Sequence, residues 1–267
     1  MRIPAAPPAG GERIAAAFAR SGKRAAFMPY LMGGFPDLAA SRGIGEAYVA
    51  AGADVVELGV PFSDPLADGP VIQAAGAAAL RAGATTEDVL RVGGALATSV
   101  PVVVMAYANL VLARGPDDFA RDLAAAGISG LIVPDLPVEE ATAALEACDA
   151  AGVALVPLVA PTTTDERLAA IGARARGFLY TVSVVGTTGE RRDLDGLSAL
   201  LSRARDSADV PVAVGFGIST PAQASDAAAA GADGVIVGSR LVRAAAEAQD
   251  PPAAVAVLAT EFTEALR

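Results

Sequence analysis

Along the chain, an alanine-rich helical segment repeatedly ends at Ala-Gly and is followed at once by a short run of β-branched residues. Four segments show the pattern: EAYVAAGADVVELG (46–59), DLAAAGISGLIVPD (122–135), LEACDAAGVALVP (145–157) and DAAAAGADGVIVGS (226–239). The glycine of each segment falls where the residue after a helix needs positive φ. The runs that follow are apolar at consecutive positions, which predicts strands buried on both faces, as in a parallel sheet covered by helices.

Eight apolar runs of this kind alternate with helical segments. They lie at about 25–32, 54–59, 101–107, 130–135, 153–159, 178–183, 211–216 and 234–238. Eight βα units in a chain of 267 residues predict an α/β protein that forms a single-domain (β/α)8 barrel of the TIM type. An open doubly wound sheet stays as the alternative, because alternation of strands and helices does not by itself require closure.

The region before the first strand predicts elements that a barrel does not require. An extra helix is expected near 11–22. Residues 1–10 are rich in Pro and Gly and are expected to be a mobile N-terminal segment, which leaves 11–267 for the barrel domain.

Composition narrows the chemistry that such a barrel can perform. The net charge of −10 argues against nucleic acid and against an anionic membrane surface as partners. The chain has no histidine, which removes Ser-His-Asp and Cys-His schemes, His-ligated metal sites and a histidine base, and no metal is expected. Its one cysteine, Cys148, cannot form an intramolecular disulfide and is expected to be an apolar helix residue in a cytoplasmic protein. Acid–base chemistry therefore falls to Asp, Glu, Tyr, Lys or the one Cys.

The segment that begins in the second strand, ELGVPFSDPLADGP (57–70), contains two candidate catalytic carboxylates, Glu57 and Asp68. Glu57 lies inside an apolar strand run, so its side chain is expected to point into the top of the barrel. Burial raises the pKa of a carboxyl group, which suits a group that donates and accepts a proton near neutral pH. A buried glutamate paired with a structural cation is the alternative. Asp68 lies in a Pro- and Gly-rich loop, where loop capping is the alternative to catalysis.

The ends of the last two predicted strands carry the features of a phosphate site. GFG (215–217) ends the seventh strand, and VGSR (237–240) ends the eighth and begins a helix. Barrels often bind phosphate between these two loops, through backbone N–H groups at the N-terminus of that helix. Gly217, Gly238 and Ser239 are therefore predicted to bind phosphate. The pattern specifies a phosphorylated ligand rather than a reaction, and for GFG a tight turn is the alternative.

The segment ELGVPFSDPLADGPVIQ (57–73) resembles the signature of the tryptophan synthase alpha subunit. Further segments resemble the same family in its order and spacing: MPYLMGGFPD (28–37), MAYANL (105–110), VPDLPVEE (133–140), VGTTGERRDL (185–194), GFGIS (215–219) and VGSRLV (237–242). The resemblance extends from about residue 12 to residue 265. It implies a lyase that cleaves indole-3-glycerol phosphate to indole and glyceraldehyde 3-phosphate by a retro-aldol reaction, the alpha reaction of L-tryptophan biosynthesis.

The resemblance also implies roles for individual residues. Glu57 matches the general acid that protonates indole C3, and Asp68 matches the aspartate that binds the indole N–H. Tyr30, Tyr107 and Tyr180 match positions that bind the substrate. Whether Glu57 also removes the proton from the C3′ hydroxyl stays open at this stage.

The loop at 185–194 is expected to be a mobile lid that closes over the substrate. In this loop, Thr188 matches a threonine that meets the catalytic aspartate on closure, and Gly189 matches a third phosphate contact. Two positions depart from the family pattern: Val184, where the family often has Arg, and Met32, where a small polar residue is more usual.

In this family the alpha subunit binds a beta subunit that carries pyridoxal phosphate, and indole passes from one to the other through a tunnel. The resemblance implies an α2β2 heterotetramer, with interface residues Pro61, Asp64, Pro65 and Pro137, and no cofactor on this chain. A free-standing indole-3-glycerol phosphate lyase and a non-catalytic activator of the beta subunit stay as alternatives. Another phosphate-binding barrel is a third, although indole-3-glycerol phosphate synthase would need a strand lysine and the one lysine, Lys23, precedes the first strand.

Overall fold

The computed structural model describes residues 9–182, 194–215 and 217–267. The strands in these ranges are β1 (Ala26–Met32), β2 (Val56–Gly59), β3 (Val102–Met105), β4 (Gly130–Ile132), β5 (Ala154–Val156), β6 (Leu158–Val159), β7 (Leu179–Val182), β8 (Val212–Gly215) and β9 (Gly234–Val237). Every predicted strand is present, although most of them are shorter than the apolar run that predicts them.

The sheet closes into a barrel at the fifth predicted strand. All neighbouring strands are parallel, and their order is β5-β4-β3-β2-β1-β9-β8-β7-β6. The apolar run at 153–159 is split by Pro157, so that β5 pairs with β4 and β6 pairs with β7. Pro157 has no N–H to donate to a ladder, but its carbonyl accepts a bond from the Tyr180 N–H at 3.0 Å. One chain segment therefore joins both edges of the sheet, which confirms the predicted barrel over the open sheet.

In the described ranges, helices cover the outside of this barrel and its N-terminal end. They are α1 (Ala9–Arg20), α2 (Leu38–Ala50), α3 (Pro70–Arg81), α4 (Thr86–Leu96), α5 (Ala108–Arg114), α6 (Pro116–Ala125), α7 (Thr142–Ala151), α8 (Asp165–Gly172), α9 (Leu194–Ser207), α10 (Pro221–Ala229), α11 (Ser239–Glu247) and α12 (Pro251–Ala265). The glycines of the Ala-Gly pairs in the four repeated segments, Gly52, Gly127, Gly152 and Gly231, all have positive φ, from 72° to 102°. No helix of the described part has the length and apolar composition that crossing a membrane requires.

Strand residues alternate between two apolar layers. Leu58 and Val104 point outward and pack in the layer beneath the helices. Tyr30 and Val103 point inward and belong to the cluster that fills the barrel. Because the register places Glu57 beside both Tyr30 and Val103, the glutamate side chain shares their inward face. The predicted orientation of Glu57 is thus confirmed.

The N-terminal end of the barrel is closed by α1, the extra helix that the sequence predicts. Ile14 is fully buried in the same cluster as the barrel interior, and the ring of Phe18 lies 6.0 Å from that of Phe178. Arg13 ties the helix in place by donating to the carbonyls of Gly127 and Ala97, at 2.8 and 2.7 Å.

This helix begins earlier than predicted. It starts at Ala9, inside the segment expected to be mobile, because Gly10 N–H donates to the Gly152 carbonyl at 2.9 Å. Residues 1–8 lie outside the described ranges.

Candidate active site

Glu57 lies at the centre of the site because the β2 register places it on the inner face, near the C-terminal end of the strand. Its side chain is only 2% exposed, and its Oε2 has no hydrogen-bond partner in the described part of the chain. Burial, with a smaller contribution from the Asp68 charge, raises the pKa of Glu57 from 4.5 to about 8. The group is therefore largely protonated at neutral pH, as a proton donor must be.

Two tyrosines flank Glu57, and each depends on a glycine of the neighbouring strand. A Cβ at Gly59 would lie 2.0 Å from the Tyr30 hydroxyl, and a Cβ at Gly215 would lie 2.3 Å from the Tyr180 hydroxyl. These rings fit inside the barrel only because the adjacent strands carry no side chain at those points. Burial raises the pKa of both phenols well above the ordinary value, so both rings stay neutral beside the carboxylates.

Asp68 is positioned by the loop between β2 and α3, and Tyr107 supports that loop from behind. The Ala67 N–H donates to the Tyr107 hydroxyl at 3.0 Å, and the Phe62 ring stacks on Tyr107 with centroids 5.2 Å apart. Gln73 donates to the Asp68 carbonyl at 2.8 Å. Partial burial raises the pKa of the Asp68 carboxyl, whereas the nearby Tyr107 hydroxyl lowers it.

These elements surround a cavity of about 390 Å³ at the C-terminal end of the barrel. It is lined by Tyr30, Glu57, Ala67, Asp68, Gly69, Ile72, Met105, Tyr180, Gly217, Ile218, Ser219, Ile236, Gly238, Ser239 and Arg240. The two carboxylates and the apolar side chains form one part of the lining, and the loops after β8 and β9 form another. The shape and chemistry suit a ligand with an apolar body and an anionic end.

The part of the cavity that could bind an anion consists of glycine backbone and the N-terminal end of a helix. Gly217 has a φ of +77°, a conformation that favours glycine. Gly238 precedes α11 and provides no side-chain cap, so the N–H groups of Ser239 and Arg240 have no intrahelical acceptor. Ser239, the first helix residue, adds an exposed hydroxyl.

The structure brings together seven of the predicted site residues: Glu57, Asp68, Tyr30, Tyr180, Gly217, Gly238 and Ser239. Tyr107 does not line the cavity and instead supports the Asp68 loop. The predicted lid residues Thr188 and Gly189, and the divergent Val184, lie outside the described residues.

Eight further lining residues were not among the predicted site residues: Ala67, Gly69, Ile72, Met105, Ile218, Ser219, Ile236 and Arg240. Met32, the other departure from the family pattern, is buried next to Tyr30 and not in the lining, with its sulfur 3.9 Å from the Tyr30 hydroxyl.

The residues expected at a partner interface lie in the loops that follow β2 and β4, and none of them lines this cavity. Asp64 and Pro137 are exposed and Pro65 is half-buried, whereas Pro61 is buried under its loop. Leu66, between Pro65 and Ala67, is 85% exposed, which is unusual for a large apolar side chain.

Cys148 and Lys23 are both far from this chemistry. Cys148 is buried in α7, and burial raises the pKa of its thiol to about 12, as expected for a packing residue. Lys23 precedes β1 and pairs with Asp54 at 2.9 Å, at the end of the barrel opposite the cavity.

Comparison with known proteins identifies the family. Residues 16–266 match the family model described as tryptophan synthase alpha chain. The chain belongs to the tryptophan synthase alpha chain family. A tryptophan synthase alpha chain from Methanosarcina acetivorans is 51% identical over 222 residues, which cover 83% of this chain and 81% of that protein. This membership confirms the function implied by the resemblance, cleavage of indole-3-glycerol phosphate in the alpha reaction of tryptophan synthase.

Solved tryptophan synthase structures share the fold. A Mycobacterium tuberculosis tryptophan synthase chain superposes with a TM-score of 0.88 at 43% identity, covering 96% of this chain and 98% of that one. A chain from the tryptophan synthase α2β2 complex of the hyperthermophile Pyrococcus furiosus superposes with a TM-score of 0.85 at 34% identity, covering 91% and 98%.

Proposed function

We propose that Glu57 is the general acid and Asp68 the electrostatic partner in cleavage of indole-3-glycerol phosphate by this chain. The observation that carries the proposal is the state of Glu57. Its carboxyl group is buried, has a pKa near 8 and keeps an unpartnered oxygen, in the lining of a cavity that Asp68 also reaches. A carboxyl group in that state holds a proton for transfer at neutral pH.

The reaction begins with transfer of the Glu57 proton to indole C3, which leaves a positively charged indolenine. The Asp68 carboxylate accepts the hydrogen bond of the ring N–H, and its charge stabilises that cation. The C3–C3′ bond then breaks, and its electron pair returns to the ring and restores indole. The C3′ hydroxyl loses its proton to the Glu57 carboxylate as C3′ becomes the aldehyde carbon, so Glu57 ends the cycle protonated.

Substrate orientation comes from the rest of the lining. Tyr30 and Tyr180 hold the indole ring from within the barrel, and the phosphate binds at Gly217, Gly238 and Ser239 through backbone N–H groups and the serine hydroxyl. In this proposal Tyr107 acts indirectly, by holding the loop that presents Asp68. Thr188 and Gly189 are proposed to complete the site from the lid, on the family pattern alone.

The partner proposed for this chain is a tryptophan synthase beta subunit in an α2β2 complex, as in the Pyrococcus furiosus assembly. The exposed Asp64, Leu66 and Pro137 lie in the loops after β2 and β4, at the C-terminal end of the barrel where the cavity is and where a partner would receive indole directly. Pyridoxal phosphate belongs to that partner in the proposal and no cofactor to this chain, whose one lysine is held in an ion pair at the opposite end. The proposed compartment is the cytoplasm.

The test is release of indole from indole-3-glycerol phosphate by the purified chain, with and without a beta subunit. Glu57→Gln is expected to abolish turnover in both cases, because the amide cannot donate a proton to carbon. Asp68→Asn is expected to reduce the rate about 10²–10³-fold, the usual cost of losing one preorganised electrostatic partner.

The matched control is Glu146→Gln, the same chemical change at an exposed position of α7. It should behave like the wild type. Normal activity in folded Glu57→Gln protein would refute the assignment of the acid. A wild-type chain that binds the substrate yet releases no indole with the partner would instead support the non-catalytic activator.

A further inference from the structure

The first turn of α11 carries a charge of the wrong sign for a helix N-terminus. The positive end of the helix dipole favours Asp or Glu in the first turn and disfavours Lys or Arg. This helix has no acidic residue there, and Arg240 occupies its second position. Gly238 does not cap the helix with a side chain. Local helix energetics therefore gives no reason for an arginine here, and such conflicts commonly mark functional positions.

Arg240 is part of the cavity lining and is not held by another side chain of the described residues. It lines the cavity together with Gly238 and Ser239 and is half-buried. Among the described residues, its guanidinium makes no hydrogen bond and no ion pair. By contrast, Arg203 and Arg167 are both paired with carboxylates.

The charges of the cavity lining explain why an arginine would be useful at position 240. The described lining contains two carboxyl groups, Glu57 and Asp68, and Arg240 is its one cationic side chain. A phosphate group that enters this cavity brings up to two further negative charges. A guanidinium beside the helix end offsets them and offers planar paired donors that match phosphate oxygens.

We propose that Arg240 is a direct ligand of the substrate phosphate and sets the affinity of this chain for phosphorylated substrates. The inference rests on the proposed phosphate position at Gly217, Gly238 and Ser239. It adds a charged side chain to a site that otherwise consists of backbone N–H groups and one hydroxyl. The substrate class is thereby restricted to phosphate esters whose other end is apolar enough for the indole part of the cavity.

The test compares Arg240→Gln with Arg243→Gln. Arg243 lies one turn further along the same helix, is exposed and does not line the cavity, so its substitution makes an equal change in net charge. Loss of a charge-assisted hydrogen bond is expected to raise the KM for indole-3-glycerol phosphate about 10-fold or more, with a much smaller change in kcat. Arg243→Gln should leave both constants unchanged.

Two further measurements isolate phosphate recognition. Cleavage of indole-3-glycerol, which lacks the phosphate, should have the same kcat/KM in Arg240→Gln and in the wild type. The rise in Tm that inorganic phosphate causes should be reduced by Arg240→Gln and partly restored by Arg240→Lys, which keeps a charge but not the planar fork.

The proposal is overturned if Arg240→Gln keeps the wild-type KM and phosphate-induced Tm shift, or if indole-3-glycerol cleavage falls equally. Either result leaves the proposed function intact, because wild-type lyase activity is measured in the same series. Absence of that wild-type activity, with phosphate binding that still depends on Arg240, would refute the proposed function and leave the phosphate ligand standing.

Discussion

Because Glu57 is an ionisable acid buried inside the barrel, the free energy of unfolding should depend on pH. Substitution of this one residue should remove that dependence. Glu57 has a pKa of about 8 in the folded chain, against an ordinary value of 4.5. The folded state therefore holds this proton more tightly than the unfolded state does. Above pH 4.5 the unfolded chain gains by ionising, so folding loses stability as pH rises, and the loss levels off above pH 8.

The size of the effect follows from the two pKa values. At about 1.4 kcal/mol per pKa unit, the interval from 4.5 to about 8 corresponds to an upper limit of about 5 kcal/mol. At pH 7 the folded carboxyl is still mostly protonated, and the cost has reached about 3 kcal/mol. Below pH 4.5 it vanishes. Glu57→Gln keeps the size of the side chain and removes its ionisation, so the variant should escape this cost.

The assay is urea unfolding of the wild type and Glu57→Gln from pH 4 to pH 9. The variant is expected to become more stable than the wild type as pH rises, by up to several kcal/mol at pH 9, with no such divergence at pH 4. Glu146→Gln should follow the wild type throughout. Parallel stability curves for Glu57→Gln and the wild type across this range would refute the reasoning, because they would mean that Glu57 titrates alike in both states.

Three more predictions concern the pH profile, the Asp68 loop and the closed end of the barrel. Because Glu57 must be protonated to act, kcat/KM should fall as pH rises through about 8, and a flat profile to pH 9.5 would contradict its role. Tyr107→Phe removes the acceptor of the Ala67 N–H but keeps the ring, so kcat/KM should fall about fivefold, the equivalent of about 1 kcal/mol, with little change in Tm. Lys23→Met leaves the buried Asp54 carboxylate without its ion-pair partner, so the free energy of unfolding should fall by about 3–5 kcal/mol while kcat stays normal. An unchanged midpoint of urea unfolding would show that the pair does not contribute to stability.

The parts of the fold that depend on local patterns could be predicted from the sequence. Consecutive apolar residues after Ala-Gly predict buried parallel strands, and the polar Glu57 within such a run predicts an inward carboxylate. The split of the fifth strand at Pro157 was not predicted. It arises because one segment pairs with β4 on one side and β7 on the other, and which strands meet is decided only when the whole sheet closes.

In the site, too, local sequence patterns do not predict where every side chain lies. Tyr107 matches a substrate-binding position by family pattern, yet it lies behind the Asp68 loop. The N-terminus of α5 next to it is fixed by a bond from the Ala108 N–H to Asp135, 27 residues away in the chain. Such contacts between separate βα loops have no local signature. Arg240 did carry a signal, a cation in the first turn of a helix, but only the closed barrel places that residue in one cavity lining with Glu57 and Asp68.

Because α1 closes the N-terminal end of the barrel, it also limits the route by which molecules enter and leave the site. With Ile14 and Phe18 filling that end, the described barrel is open to the cavity only from its C-terminal face. Substrate, indole and glyceraldehyde 3-phosphate then share one route. A product that still occupies the route blocks the next substrate, so glyceraldehyde 3-phosphate should inhibit competitively. A subunit bound over that opening would leave indole no exit into bulk water. Indole would then pass to that subunit unless the interface between the two subunits opened before the transfer.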